Sequence, residues 1–82
     1  MQLHHPLLIE FSEHRDVILR LREERDDFRQ MAEEYHEIDR RVCRIERMLE
    51  TASEAETETL KKKRVRLKDQ LYLEIRRASQ AA

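Results

Sequence analysis

Apolar and polar residues alternate along this chain on a sevenfold rhythm. With Leu21 as the first position of a heptad, the two inward-facing positions read Val17, Leu21, Glu24, Phe28, Met31, Tyr35, Ile38, Val42, Ile45 and Leu49, and only Glu24 is polar. Spacing of alternately four and three residues, held this long, marks a left-handed seam between helices rather than a generic amphipathic face. The pattern predicts one long helix over about 12–50, with Ser12 as its N-cap and the acids Glu13 and Asp16 near its first turn, where the helix dipole favours them. Ahead of it, Pro6 suits the first turn of a short helix over about 6–11, which would carry Leu7, Leu8 and Phe11.

Beyond Leu49 the phase fails. Carried onward it would put Ala52, Glu56, Thr59, Lys63, Arg66 and Gln70 into the seam, and those residues cannot hold a core. A skipped residue in one continuous coiled coil would also reset the phase. Ser53 with Glu56 three residues later fits a capping box, and the short side chains around it favour a turn at about 51–53. A second helix then follows over about 54–79, with the stripe Leu60, Leu67, Leu71, Ile75 and Ala78. The expected architecture is all-α: an antiparallel helical hairpin, a coiled coil with a short N-terminal helix, forming a single domain over 1–82. The later helix would be about 39 Å long against about 57 Å for the earlier one. The stretch from Ser12 to about Asp26 should therefore overhang, covered by Leu7, Leu8, Ile9 and Phe11 or by a second copy.

Composition narrows the picture. The chain has 82 residues, 43% of them charged and 5% aromatic, with one Pro and neither Gly nor Asn. Lacking the residues that reach positive φ cheaply, it is poorly suited to tight β-hairpins or glycine-rich phosphate loops. Seventeen bases against eighteen acids leave a formal charge of −1, so bulk charge implies neither nucleic acid nor an acidic membrane. No segment has the length of apolar chain that spans a bilayer, and Cys43 is alone, so a reducing, cytoplasmic setting is expected.

The basic run from Leu60 to Tyr72, LKKKRVRLKDQLY, has two readings. Its leucines share one side of a helix while Lys61, Lys62, Lys63, Arg66 and Lys68 scatter around the rest, which fits a solvated coat. Folded back, it lies opposite Arg40, Arg41 and Arg44, and a phosphate-binding zone of Arg40, Arg41, Arg44, Lys61, Lys62, Lys63 and Arg66 is the alternative. Arg64 falls inside the apolar stripe. Snorkelling of its head into water is the favoured reading; pairing with a seam acid that fixes the register is the other, and Glu24 and Glu74 pose the same choice.

No catalytic, metal or cofactor site is expected. His36 has no second His four residues away, Cys43 lies too far along the helix to join it, and His4-His5 belongs to a terminus. Arg41 and Arg44 beside Cys43 would lower a thiol pKa, but a half-buried structural Cys is the favoured reading. A thin hairpin offers no concave pocket in which paired carboxylates could be tuned.

Taken together the residues resemble the YdcH family, small bacterial proteins of uncharacterised function predicted to form coiled coils. The resemblance runs from His5 to about Arg77 and rests on His5-Pro6-Leu7, on Phe11 to Ile18 with Leu21 and Phe28, on Tyr35, Ile38-Asp39 and Ile45-Glu46, and on Leu60 to Arg64 followed by Leu67 to Tyr72. Ser12 stands where the family usually has Pro, which weakens the break before the long helix. The resemblance implies a helical hairpin and carries over no catalytic or cofactor residue.

The expected role is a non-catalytic interaction or scaffold module. So small a core leaves apolar surface half covered, and pairing of two hairpins through Ile18, Met48, Val65, Tyr72 and Leu73 would give a homodimeric four-helix bundle. Docking on a partner helix is the other form of the same reading, and a small nucleic-acid-associated protein is the alternative class.

Overall fold

The computed structural model describes residues 11–80. The expected short helix over about 6–11 lies, apart from Phe11, outside the described residues. A 3-10 turn, Ser12–His14, leads into α1 (Arg15–Glu24), α2 (Asp26–Glu46) and α3 (Glu54–Gln80), with no strand among them. The chain is all-α, and α2 and α3 form the antiparallel hairpin that the heptads predict.

Its core is the seam, nearly as read. Leu21, Phe28, Tyr35, Ile38, Val42, Leu67, Leu71 and Ile75 are buried, while Val17, Met31, Ile45 and Leu60 are half-buried. Ala32 joins them with no exposure. Opposite charges run along the seam's edges in antiparallel order. Arg25 meets Glu74 at 2.9 Å, Lys63 meets Glu34 at 2.9 Å, Arg64 meets Asp39 at 3.1 Å and Arg41 meets Glu56 at 3.6 Å. Arg64 therefore does not merely snorkel. Its head is held by a half-buried acid of the other helix, and a one-turn slip would break that pair.

The earlier helix starts at Arg15, behind the 3-10 turn, and not with Ser12 as its N-cap, and it departs from expectation in two further places. It is not continuous over 12–50, because Arg25 adopts extended backbone (φ −127°, ψ 113°) and separates α1 from α2. Bending here swings α1 back onto the hairpin, so Ile18 and Leu21 are buried instead of overhanging. Burying side chains of that size is worth about 1.5–3 kcal/mol each. The backbone loses little, since Arg25 N–H still donates to the Leu21 carbonyl at 2.9 Å and Arg29 N–H to the Arg25 carbonyl at 3.1 Å. Asp26 and Asp27 then stand at the start of a new helix, where its dipole favours acids. Glu24, the polar member of the seam, is exposed at the bend.

The second departure is at the other end. Helix α2 stops at Glu46, and Leu49 is 73% exposed rather than in the seam. Leu49 N–H donates to the Arg44 carbonyl at 2.9 Å and Met48 N–H to the Ile45 carbonyl at 3.1 Å, with Met48 at φ 61°. That is a Schellman ending, in which a left-handed residue reverses the chain and satisfies the last carbonyls. Helix α3 begins where the capping signal predicts. Ser53 Oγ accepts from Glu56 N–H at 3.1 Å, although the Glu56 carboxylate turns to Arg41 instead of closing the box.

Candidate interaction surface

At about 100° per residue, α3 turns Leu67, Leu71 and Ile75 inward and Val65, Tyr72 and Leu73 outward. These three are 55%, 39% and 47% exposed. Tyr72 has two ring contacts. The Phe11 ring stacks on it with centroids 5.2 Å apart and planes 15° from parallel, and the Arg76 guanidinium lies 5.7 Å from its centre. The Phe11 stack also ties the chain ahead of α1 to α3.

The same side of α3 is basic. Residues 61–77 carry eight Lys and Arg against Asp69 and Glu74. Lys63 and Arg64 are spent on α2, and Glu74 is shared between Arg25 at 2.9 Å and Arg77 at 3.8 Å. Lys62, Arg66 and Arg76 stay exposed around Val65, Tyr72 and Leu73, with Asp69 the acid among them. An apolar strip with a cationic rim results.

Of the other residues expected to contact a second copy, Ile18 is not on the surface of the closed chain, since it is fully buried there. The bend at Arg25 brings it there. Met48 is 91% exposed, but it sits with Leu49 on the turn, at the opposite end of the hairpin from Tyr72 and Leu73.

The basic zone expected to hold phosphate is largely occupied by acids. Glu50 Oε2 accepts from Arg41 Nε at 2.8 Å and its Oε1 from Arg44 Nε at 3.1 Å. Arg40 lies 3.7 Å from Glu37, and Lys63 is held by Glu34. Lys61 is half-buried, which leaves Lys62 and Arg66 exposed. The Glu50 clamp ties the turn to the last turns of α2. Hydrogen bonding from Arg41, then from Arg44, holds the Glu50 carboxyl below its ordinary value, and the Glu50 bond raises the Arg41 guanidinium in turn.

The residue that sequence reading passed over is Arg25. Its Nε and Nη2 donate to the two Asp27 oxygens at 3.1 and 2.7 Å, and its Nη1 to Glu74 at 2.9 Å. The bidentate bond from Arg25 is the leading reason the Asp27 carboxyl lies below its ordinary value. Arg22 donates to Glu33 at 2.7 Å across the same bend. The sequence held a signal for it: a polar seam position, Glu24, followed at once by the helix-starting pair Asp26-Asp27.

Elsewhere the surface is plain. Shallow depressions are lined by Leu19, Arg22, Glu23 and Arg29 beside the bend and by Arg41, Ala55, Glu56, Thr59 and Leu60 near the turn. Cys43 is half-buried. Among the described residues no cluster of His, Cys, Asp and Glu could hold a metal ion, and no helix is long and apolar enough to cross a membrane.

A family model described as "Protein of unknown function (DUF465)" matches residues 28–73, from the first buried residue of α2 to Leu73 of α3. This is the YdcH-like family that the residues resemble. No curated protein and no solved structure matches the chain.

Proposed function

The chain belongs to the DUF465 family of proteins of unknown function, and from its geometry we propose that it is a non-catalytic helical interaction module. Its docking face is the outer side of α3, and the occupant is an amphipathic helix of another protein whose apolar stripe is flanked by Asp and Glu. The observation that carries this reading is the exposed strip of Val65, Tyr72 and Leu73 rimmed by Lys62, Arg66 and Arg76.

Positions i, i+7 and i+8 on one helix are the anchors by which helices dock on each other. The rim adds charge selection, which steers encounter and rejects wrong partners. A second copy is a poor occupant of this face. A two-fold contact uses the same patch on both sides, so it would set these bases against themselves. Single-stranded nucleic acid is poorly served too. Bases stack on open aromatic faces, and Tyr72 already carries the stacked Phe11 ring and the Arg76 guanidinium.

The test is a photo-cross-linking amino acid placed at Val65 or Leu73, with Glu37 on α2 as the control position, in the native cell. The reading expects Val65 and Leu73 to link to one common protein segment, apolar every three to four residues with acids alongside, and Glu37 not to. Links to nucleic acid, to a second copy alone, or equally from Glu37 contradict it.

A further inference from the structure

We propose that the chain has a second, straight form in which Arg25 turns helical, α1 and α2 fuse, and each of two copies lays its α1 on the other's hairpin. This exchange needs no contact between the outer faces of two α3 helices.

The joint is a single residue. Arg25 lies between two helices with extended backbone, while the i→i−4 bonds that end on it, from its own N–H to Leu21 and from Arg29 N–H to its carbonyl, are already helical in pattern. Neither Gly nor Pro marks the site, and Arg is a good helix former. So short a hinge is the kind that favours exchange of an element between copies.

The heptad pattern also runs through the joint without a step. Val17, Leu21, Glu24, Phe28 and Met31 keep the spacing of four and three that a straight helix needs. Straightening lifts α1 away, strips the cover from Ile18 and Leu21, and opens the end of the core that they close. A lone chain has nothing to replace that cover. A second copy brings the same α1 to the same place.

Two ion pairs tell the forms apart. The bidentate Arg25–Asp27 pair belongs to the bend, because residues two apart on a helix do not face each other. It is the latch of the closed chain. The Arg22–Glu33 pair, at 2.7 Å, joins residues eleven apart. A straight helix would separate them by about 16 Å, so within one chain the pair exists only when bent. In the exchanged dimer it re-forms between copies.

The experiment uses full-length protein carrying Cys43→Ser. Sedimentation equilibrium is run on Arg25→Ala, which removes the latch and favours helix, and on Arg25→Gly, which removes the latch and disfavours helix. With two hinges per dimer, helix propensity alone makes the dimerisation constant of Arg25→Ala about thirtyfold larger than that of Arg25→Gly. Asp27→Ala, which leaves Arg25 in place, is read in the same way should Arg25→Ala fail to fold. Chains with Arg25→Ala and Arg22→Cys are then labelled with pyrene and mixed, through unfolding and refolding, with labelled chains carrying Arg25→Ala and Glu33→Cys. Exchange predicts excimer emission from the mixed dimer. A dimer without that emission, or Arg25→Ala and Asp27→Ala chains that stay monomeric at millimolar concentration, overturns the proposal. Neither result touches the cross-linking test at Val65 and Leu73.

Discussion

Met48 is the residue whose backbone is least suited to its side chain. It stands at φ 61°, the left-handed position after the last turn of α2, which costs a residue with a Cβ roughly 1–2 kcal/mol. The chain has no Gly to place there. The Met48 side chain, 91% exposed, gives nothing back through burial. Met48→Gly should therefore stabilise the protein by about 0.5–1 kcal/mol, read as a higher urea midpoint with an unchanged slope. Such a position is hard to read from sequence. The heptad pattern carries Leu49 forward as one more seam residue, and only the carbonyls of Arg44 and Ile45 finding the N–H groups of Leu49 and Met48 reveal that the helix has ended.

At the scale of elements, the turn is joined to α2 by charge. Glu50 takes Arg41 and Arg44, and Arg41 reaches on to Glu56 at the start of α3. Glu50 is held below its ordinary value of 4.5 by those bonds. A carboxyl depressed in the folded state stabilises above its unfolded pKa, and that contribution is lost as pH falls through the folded value. The melting temperature should thus hold from neutral pH down to about 4.5 and then fall. Glu50→Gln should melt lower at neutral pH and lose less below it, as followed by circular dichroism. The helices themselves were legible because burial enforces their period: Phe28, Tyr35, Ile38 and Val42, with Leu67, Leu71 and Ile75, stand where spacing put them. The bend was hinted at only by Glu24 and Asp26-Asp27, because helical spacing is the same on both sides of it. What Arg25 gains comes from Asp27 and, across the fold, from Glu74, and a periodicity cannot show contacts between distant residues. For the same reason the sequence offered register pairing only as the second reading of Arg64 and did not single out Asp39 as its partner.

For the whole molecule the bend and the turn act together. A single rod over 12–50 would be about 57 Å long, whereas the protein measures 44 × 22 × 21 Å, close to the length of α3 alone. Folding α1 back gives the described residues a core of ten buried apolar side chains with Phe11, Val17, Leu19, Met31, Leu60 and Ala78 packed against it. That leaves Val65, Tyr72 and Leu73 on the outer side of α3 as the apolar surface proposed for a partner. Its chemistry was partly legible: Val65, Tyr72 and Leu73 fall off the main stripe, and Lys62 and Arg66 lie in the basic run from Leu60 to Tyr72. The sorting of that run into inward-paired and outward-exposed bases required Glu34 and Asp39 of α2 to be placed opposite.

The reversal of the chain between α2 and α3 underlies all of this, and a distance across the hairpin tests it most directly. Gln30 and Gln70 are both exposed, one on each helix. Spin labels at these two positions should lie within about 20 Å, two helix diameters, if the helices pack antiparallel. A separation near 60 Å, the length of forty helical residues laid end to end, would mean an unbent rod and contradict the account.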